Sequence, residues 1–592
     1  MPDYSAPLDD MRFVLENIVD LAALAALPGF EHAEPDMVYG VLEESGRFFS
    51  QEFAPLNQVG DTQHSRRNPD GSVSTPDGFP RAYRRYVDAG WAGVPFPAEY
   101  GGGGFPWLVA IAMQEMLTAA NMGFSLCPLL TQGAIDMLLH YGSEEQREVY
   151  LPKMVSGEWT GTMNLTEPQA GSDVGALTTK AVPAEDGTWR ITGQKIFITY
   201  GEHDLAENII HLVLARVPDA PPGTKGISCF IVPKFVLAED GTPGERNSLE
   251  CVSIERKMGI NASPTCVMAY DGAVGYLIGE PNQGMRYMFK MMNNARVSVG
   301  VSGLSLGERA YQQAVAYAHE RRQGRAPGAP KGESSPIVDH PDVRRMLLTM
   351  RAQIEALRCL AYLNAESLDL AARHPDEEVR TRGQERADLL TPITKGWGTD
   401  LGVELTSLAL QVHGGMGYIE ETGVAQHYRD IRIAPVYEGT NGIQAIDMVG
   451  RKLPMRAGGV MADHLAAIEA TAAELAGDDE DLATIGKRLA DAHAVLKSTT
   501  DWLLANGLSD PNNALAGATP YLRMCGIVTG GWLLARSALA ARRLLDAGEG
   551  DADFLGQKLV TARFYAEQLL PQAAGLAPSV TAGPADLLAA SF

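Results

Sequence analysis

The sequence predicts a mainly α-helical protein with a central β domain. Apolar residues recur at mixed three- and four-residue spacing before about residue 158 and again after about residue 283, while the stretch between consists of short β-branched runs bounded by Gly, Pro or Asp. With 592 residues, 45% hydrophobic and 21% charged, the chain has ordinary globular composition and length for several cores. The pattern divides it into an N-terminal extension (1–35), a helical domain (36–157), a β domain (158–282), a second helical domain (283–455) and an additional helical domain (456–592).

In the first helical domain the period is clearest in AIAMQEMLTAA and GAIDMLLHYG, with turn chemistry at EYGGGGFP. The glycines at 101–104 follow Pro97 and lack the Lys-Ser/Thr ending of a phosphate loop, so they are read as a turn. TWRITGQKIFIT, NIIHLVLARV and GISCFIVP are the strands expected of the β domain. Beyond it, Val343, Leu347, Met350, Ile354 and Leu357 mark one face of a long helix whose first turn suits Pro341. RAPGAPKGESSP, at 325–336, is expected to be an exposed loop between two helices. A further break falls at Pro454–Gly459, and the acidic run Asp478–Asp481 reads as a solvated turn between Ala- and Leu-rich helices. No repeat of fixed period is present.

A formal charge of −24 opposes binding of polyanions by the surface as a whole, which argues against a nucleic-acid partner. The six cysteines are scattered, form no CxxC pair and join no His cluster at metal spacing, so free thiols and no metal are expected. The N-terminal residues lack a basic region followed by an apolar run, and no uninterrupted apolar stretch reaches about 18 residues. A cytoplasmic protein without membrane insertion is the expectation.

Four strings carry the chemistry. Pro435-Val436-Tyr437-Glu438-Gly439-Thr440-Asn441 follows Gln411-Val412-His413-Gly414-Gly415-Met416-Gly417-Tyr418 and Tyr428-Arg429-Asp430, and the β domain opens with Leu165-Thr166-Glu167-Pro168-Gln169-Ala170-Gly171-Ser172-Asp173. They offer small residues for close backbone approach, and hydroxyls and amides able to bind a polar, phosphate-bearing cofactor. Singly each string is weak; together, and in this domain order, they resemble the acyl-CoA dehydrogenase family from roughly residue 40 to 455.

That resemblance implies a β-barrel domain followed by a four-helix bundle, with noncovalent FAD and an acyl-CoA substrate. It implies that Glu438 removes the α-proton while the β-carbon passes hydride to the flavin, giving a trans-2-enoyl-CoA. Leu165, Thr166, Ser172, Phe197, Thr199, Arg321, Gln411, Gly414, Gly415 and Thr440 would contact FAD. Ser172, Arg296, Tyr437, Glu438 and Gly439 would contact substrate. Phe197, where the family more often has Trp, would cover one flavin face, packing without an indole N–H. Arg296 and Arg321, 25 residues apart, would share one helix, Arg321 reaching a neighbouring chain's cofactor in a homodimer or dimer of dimers. The family's usual Thr-Phe-Gly after that arginine is replaced here by Arg322-Gln323-Gly324-Arg325.

Some branches place the base just before the helix arginine; here that residue is Ala295, which cannot accept a proton. His413, a possible rival by its ordinary pKa, sits in the string matched to FAD binding and is given no proton-transfer role. The opening YSAPLDDMRFVLENIV and the helical segment after residue 456 resemble the branch that oxidises 3-methylthiopropionyl-CoA from dimethylsulfoniopropionate breakdown. An electron-transfer flavoprotein would take the electrons.

The alternatives are a medium- or long-chain dehydrogenase, an acyl-CoA oxidase, a DNA-associated alkylation-response flavoprotein, or a silent CoA-binding scaffold. Residues 457–592 contain 16 Asp and Glu against 9 Lys and Arg, which opposes contact with DNA or anionic lipid. The intact Tyr-Glu-Gly-Thr string disfavours the scaffold.

Overall fold

The β-branched runs of the central domain pair into a seven-stranded sheet. In a computed structural model that describes residues 4–507 and 509–592, six strands follow the order Trp159–Asn164, Asn208–Ala215, Ser228–Pro233, Thr265–Leu277, Trp189–Thr199 and Lys180–Pro183. Leu249–Ile254 also pairs with the long strand Thr265–Leu277. Trp159–Asn164 and Asn208–Ala215 are parallel, and the other pairs are antiparallel. Asn208–Ala215 is buried throughout because both its faces meet apolar residues. Ile210, Leu212 and Leu214 pack in one core with Met137, Leu138, Met154 and Trp159, whereas Val213 and Ala215 join a second core with Ile191, Phe230 and Met268.

Two compact units divide the chain. The first is built mainly from Glu44–Phe105 and Met116–Ser298, so it unites this sheet with helices such as Met122–Tyr141 and Glu144–Ser156. The glycines at 101–104 form a turn, as expected: the amides of Gly102, Gly103 and Gly104 donate to the carbonyls of Pro97, Gly93 and Phe96, leaving none of these three for a phosphate. A short ladder, Arg66–Arg67 with Val73–Ser74, interrupts the helices here and was not anticipated from the sequence. It is too short for a period of two to register.

The second unit comprises Ala6–Glu43, Pro106–Glu115 and Val299–Phe592. Its long helices Pro341–Arg373 and Glu377–His413 lie alongside the C-terminal part of Gly284–Glu320. Close approach is possible because residue 303 is glycine: a Cβ there would sit 2.0 Å from the Gly398 carbonyl oxygen. Pro341 occupies the first turn of its helix, and 325–336 lies between helices, as the sequence predicts. The helix expected to carry both arginines instead ends at Glu320, with the Arg321 amide closing its last turn onto Tyr317.

The C-terminal helices pack on this bundle through Pro511–Ala547. Trp397, 2% exposed, lies against it where Gly526 leaves room, since a Cβ at 526 would sit 2.3 Å from the indole. Asp479 and Asp481 of the acidic run are not merely solvated; they pair with Arg542 and Arg563. The extension at 1–35, whose first three residues lie outside those described, supplies a helix, Leu8–Asn17, to the same unit. Asp10 pairs with buried Lys558, which also meets Glu355 at 3.1 Å, and Arg536 donates to the Ile18 carbonyl at 2.7 Å. Burial alone would lower the Lys558 ammonium, but Glu355 and Asp10 together raise it.

Two helices, Met122–Tyr141 and Pro511–Ala547, have the length and mean hydropathy (1.3 each) of a membrane span. They are core helices: 83% and 89% of their most apolar windows are buried.

Candidate active site

In the β domain, a buried ion pair organises one set of the candidate residues. Lys195, fully buried on Trp189–Thr199, donates to Glu167 at 2.8 Å and to the Leu165 carbonyl at 3.0 Å. Glu167 also accepts from the amides and hydroxyls of Thr178 and Thr179 and from the Gln169 amide. The loop is closed by reciprocal backbone bonds between Glu167 and Ala170. Burial raises the Glu167 pKa, but the Lys195 ammonium and these donors outweigh it and hold the carboxyl at about 2.

A carboxylate whose pKa falls on folding stabilises the folded state above its unfolded pKa, and that contribution is lost as pH falls through the folded value. Glu167→Gln is therefore expected to flatten the acid limb of stability between about pH 4.5 and about pH 2. Urea unfolding midpoints measured against pH check this, and an unchanged slope would count against it.

Thr166 lies beside strand Trp189–Thr199, its carbonyl accepting from the Ile196 amide at 2.9 Å. The register slips between Cys266 and Met268, so two residues, Ile196 and Phe197, are bulged out of the ladder. Phe197 takes the left-handed backbone, φ +61°, and is 57% exposed. It is thus no ordinary buried strand aromatic, and a left-handed aromatic is a conformation the fold must impose. Two residues on is Thr199. Among the described residues no protein group hydrogen-bonds the hydroxyls of Thr166, Ser172 and Thr199. An exposed aromatic residue, and hydroxyls that no protein group engages, offer the stacking surface and hydrogen-bonding groups that a planar, polar cofactor such as FAD requires.

The second helical domain carries another set of candidate residues. Helix Glu377–His413 ends at Gly414, whose φ of +61° and ψ of −139° suit only glycine. A Cβ at Gly414 or Gly415 would meet open space, and Gln411, Gly414 and Gly415 are exposed. That surface can admit the backbone of a ligand. His413 is turned away from such a role: it is buried, stacks on Tyr317 at 4.4 Å and bonds the Ala409 carbonyl through Nδ1. Burial lowers its pKa.

Glu438 is half-buried in a left-handed turn, with φ +56° at Glu438 and +82° at Gly439. Thr440 then caps Asn441–Asp447, its hydroxyl accepting from the Ile443 amide at 3.2 Å. Burial pushes the Tyr437 phenol well up. The Gly439 carbonyl accepts from Lys395 at 2.8 Å and from Gln444 at 3.2 Å. Lys395 was not singled out from the sequence, where its only signal is a lone charge within LLTPITKGWGT. Of the two arginines, Arg296 is 4% exposed and bonded to Asn293 at 3.2 Å, unlike a solvated helix residue. Arg321 is exposed and holds Gln323 at 3.3 Å.

Family models match almost the whole chain: the acyl-CoA dehydrogenase N-terminal domain at 43–158, middle domain at 162–273 and C-terminal domain at 282–453, then an acetyl-CoA dehydrogenase C-terminal-like region at 464–591. The chain is 49% identical over 590 residues to 3-methylmercaptopropionyl-CoA dehydrogenase of Ruegeria pomeroyi, with 100% of both chains covered. It is 34% identical over 583 residues to butyryl-CoA dehydrogenase of Syntrophomonas wolfei, covering 96% of this chain and 95% of that one. An acyl-CoA dehydrogenase from Bacillus anthracis, solved with FAD, superposes with a TM-score of 0.75 at 20% identity over 94% of this chain and 89% of that one, which establishes a shared fold. The chain belongs to the acyl-CoA dehydrogenase family, FAD-dependent oxidoreductases acting on carbon–carbon single bonds of acyl-CoA thioesters, in a form that carries an extra C-terminal helical domain.

Proposed function

We propose that this chain oxidises 3-methylthiopropionyl-CoA to 3-methylthioacryloyl-CoA, a step of dimethylsulfoniopropionate breakdown, with Glu438 as the base. The observation that carries the substrate is 49% identity over 590 residues, a span that includes the extra C-terminal domain. The base is supported by the turn at 438–439, which projects a half-buried carboxylate from a fixed backbone. An α-hydrogen of a thioester is too weakly acidic for a free carboxylate, so the carbonyl oxygen needs a donor where charge develops; the backbone N–H of Glu438 is assigned that place. When bound, FAD supplies the acceptor for the hydride leaving the β-carbon.

In this reading Leu165, the hydroxyls of Thr166, Ser172 and Thr199 and the ring of Phe197 hold FAD from the β domain. Gln411, Gly414, Gly415 and Thr440 hold it from the helical domain. Ser172, Arg296, Tyr437 and Gly439 join Glu438 at the substrate. Arg321, exposed past its helix end, faces a neighbouring chain's cofactor, and an electron-transfer flavoprotein receives the electrons. The minimum assembly is then a dimer. Light scattering of the FAD-loaded protein is expected to give at least twice the mass of one chain; a fully loaded monomer would overturn the assignment of Arg321.

For the acyl group, anaerobic flavin bleaching with a panel of thioesters is the decisive measurement. A γ-thioether has nearly the size and polarity of a methylene, so 3-methylthiopropionyl-CoA and butyryl-CoA are both expected to react, within about 10- to 200-fold of each other. Strong preference for chains beyond twelve carbons, with no turnover of the sulfur substrate, would place the chain in another branch.

A further inference from the structure

Lys395 has no part in the mechanism above, yet it is 0% exposed and makes two of its hydrogen bonds within the segment that carries Glu438. Its Nζ lies 2.8 Å from the Gly439 carbonyl and 2.8 Å from Asn441 Oδ1. Asn441 is itself tied back to the same helix, donating to the Gly396 carbonyl, to Thr399 and, at 2.7 Å, to Asp400. Gln444 also donates to the Gly439 carbonyl, at 3.2 Å. Burying an ammonium carries a large desolvation penalty, so a Lys at this point must be offset by what it holds.

What it holds is strained. Glu438 and Gly439 are consecutive left-handed residues, and Glu438 has a Cβ that disfavours this conformation. A shift of the Gly439 carbonyl would require the backbone on either side of Gly439 to readjust, and with it the turn that carries Glu438. Charge-assisted bonds to that carbonyl oppose the shift. We propose that Lys395 is a positioning residue for the reaction: its ammonium fixes the Gly439 carbonyl and so holds the turn from which Glu438 reaches the substrate. This rests on Glu438 as the base.

The test is single-turnover flavin reduction by the FAD-loaded enzyme in four forms: native, Lys395→Met, Glu438→Gln and the double variant. Displacement of a base by about 1 Å can lower a rate by about 100-fold, so Lys395→Met is expected to lose about 10- to 100-fold with acyl-CoA affinity nearly unchanged. In the Glu438→Gln background the same substitution is expected to change the rate by less than about threefold, because the group it positions is already gone. A purely structural role would lower both backgrounds equally. Equal losses, or a native rate in Lys395→Met, overturn the proposal. If Lys395→Met does not fold, Gln444→Met, which removes the other donor to the same carbonyl, decides by the same comparison. A slow Glu438→Gln with a native Lys395→Met rejects the positioning role alone, whereas a native rate in Glu438→Gln rejects the base itself.

Discussion

Glu438→Gln is expected to bind FAD and acyl-CoA as the native chain does, and to reduce its flavin about 10² to 10⁴ times more slowly, the usual worth of a positioned general base. The substitution removes the proton acceptor and little else. Side-chain volume hardly changes, the left-handed turn belongs to the backbone, and Thr440 still caps the helix that follows. A loss through unfolding or cofactor release would appear in the FAD absorbance and in the unfolding curve, so the rate can be read separately. Stopped-flow bleaching under anaerobic conditions measures it directly. No carboxylate stands before Arg296 to substitute, because that residue is Ala295. Reduction at the native rate would mean that another group removes the α-proton.

The largest stability effect is expected at Arg358, which lies between two buried carboxylates. Its guanidinium donates to Glu115 at 2.8 and 2.9 Å and to Glu308 at 2.8 Å, and Tyr362 donates to the other Glu115 oxygen at 2.8 Å. Side-chain exposures are 1% for Arg358, 0% for Glu115 and 8% for Glu308. Burial already raises the Glu115 pKa despite the guanidinium. Arg358→Met removes the only positive charge of the triad and leaves two carboxylates together in a low-dielectric site, which should destabilise the fold by about 3–5 kcal/mol.

The sign of the pH dependence follows from the same charges. A carboxyl whose folded pKa is raised opposes folding most above that value, and the deficit fades as protonation becomes complete at lower pH. The loss in Arg358→Met should therefore be greatest at neutral pH and diminish in acid. Urea denaturation at several pH values tests both parts. Replacing all three residues with apolar ones of similar volume is expected to recover most of the loss, since the paired charges gain little beyond their own desolvation. An Arg358→Met protein within about 0.5 kcal/mol of native, the ordinary scatter of surface substitutions, would refute the argument.

Much of the candidate site was legible because its residues sit in short strings. Thr166 and Ser172 lie seven positions or fewer from Leu165, and Tyr437 to Thr440 are consecutive, so the contiguous strings that carry the family resemblance include them. Lys395 was not legible: it is 44 residues from the carbonyl it holds, and nothing in its own neighbourhood distinguishes it from a solvated helix lysine. Glu167 and Lys195 both fall within recognisable strings, but that they neutralise each other depends on the loop after Trp159–Asn164 folding against strand Trp189–Thr199. The bulge at Ile196 and Phe197 likewise depends on how the partner strand is registered, which a strand's own alternation does not encode.

By itself the sequence determined the helical and β regions, the helix start at Pro341, the loop at 325–336 and the family, because each follows from periodicity, turn chemistry or contiguous motifs. Tertiary structure alone decided that the N-terminal helix is clamped by Lys558, 548 residues later, that Arg358 neutralises carboxylates from two other helices, and that Phe197 and Glu438 take left-handed backbones. The physical reason is the same in each case. Periodicity and turn preference act between near neighbours in the chain, whereas desolvation, ion pairing and imposed backbone strain depend on which distant segments exclude water from the same place.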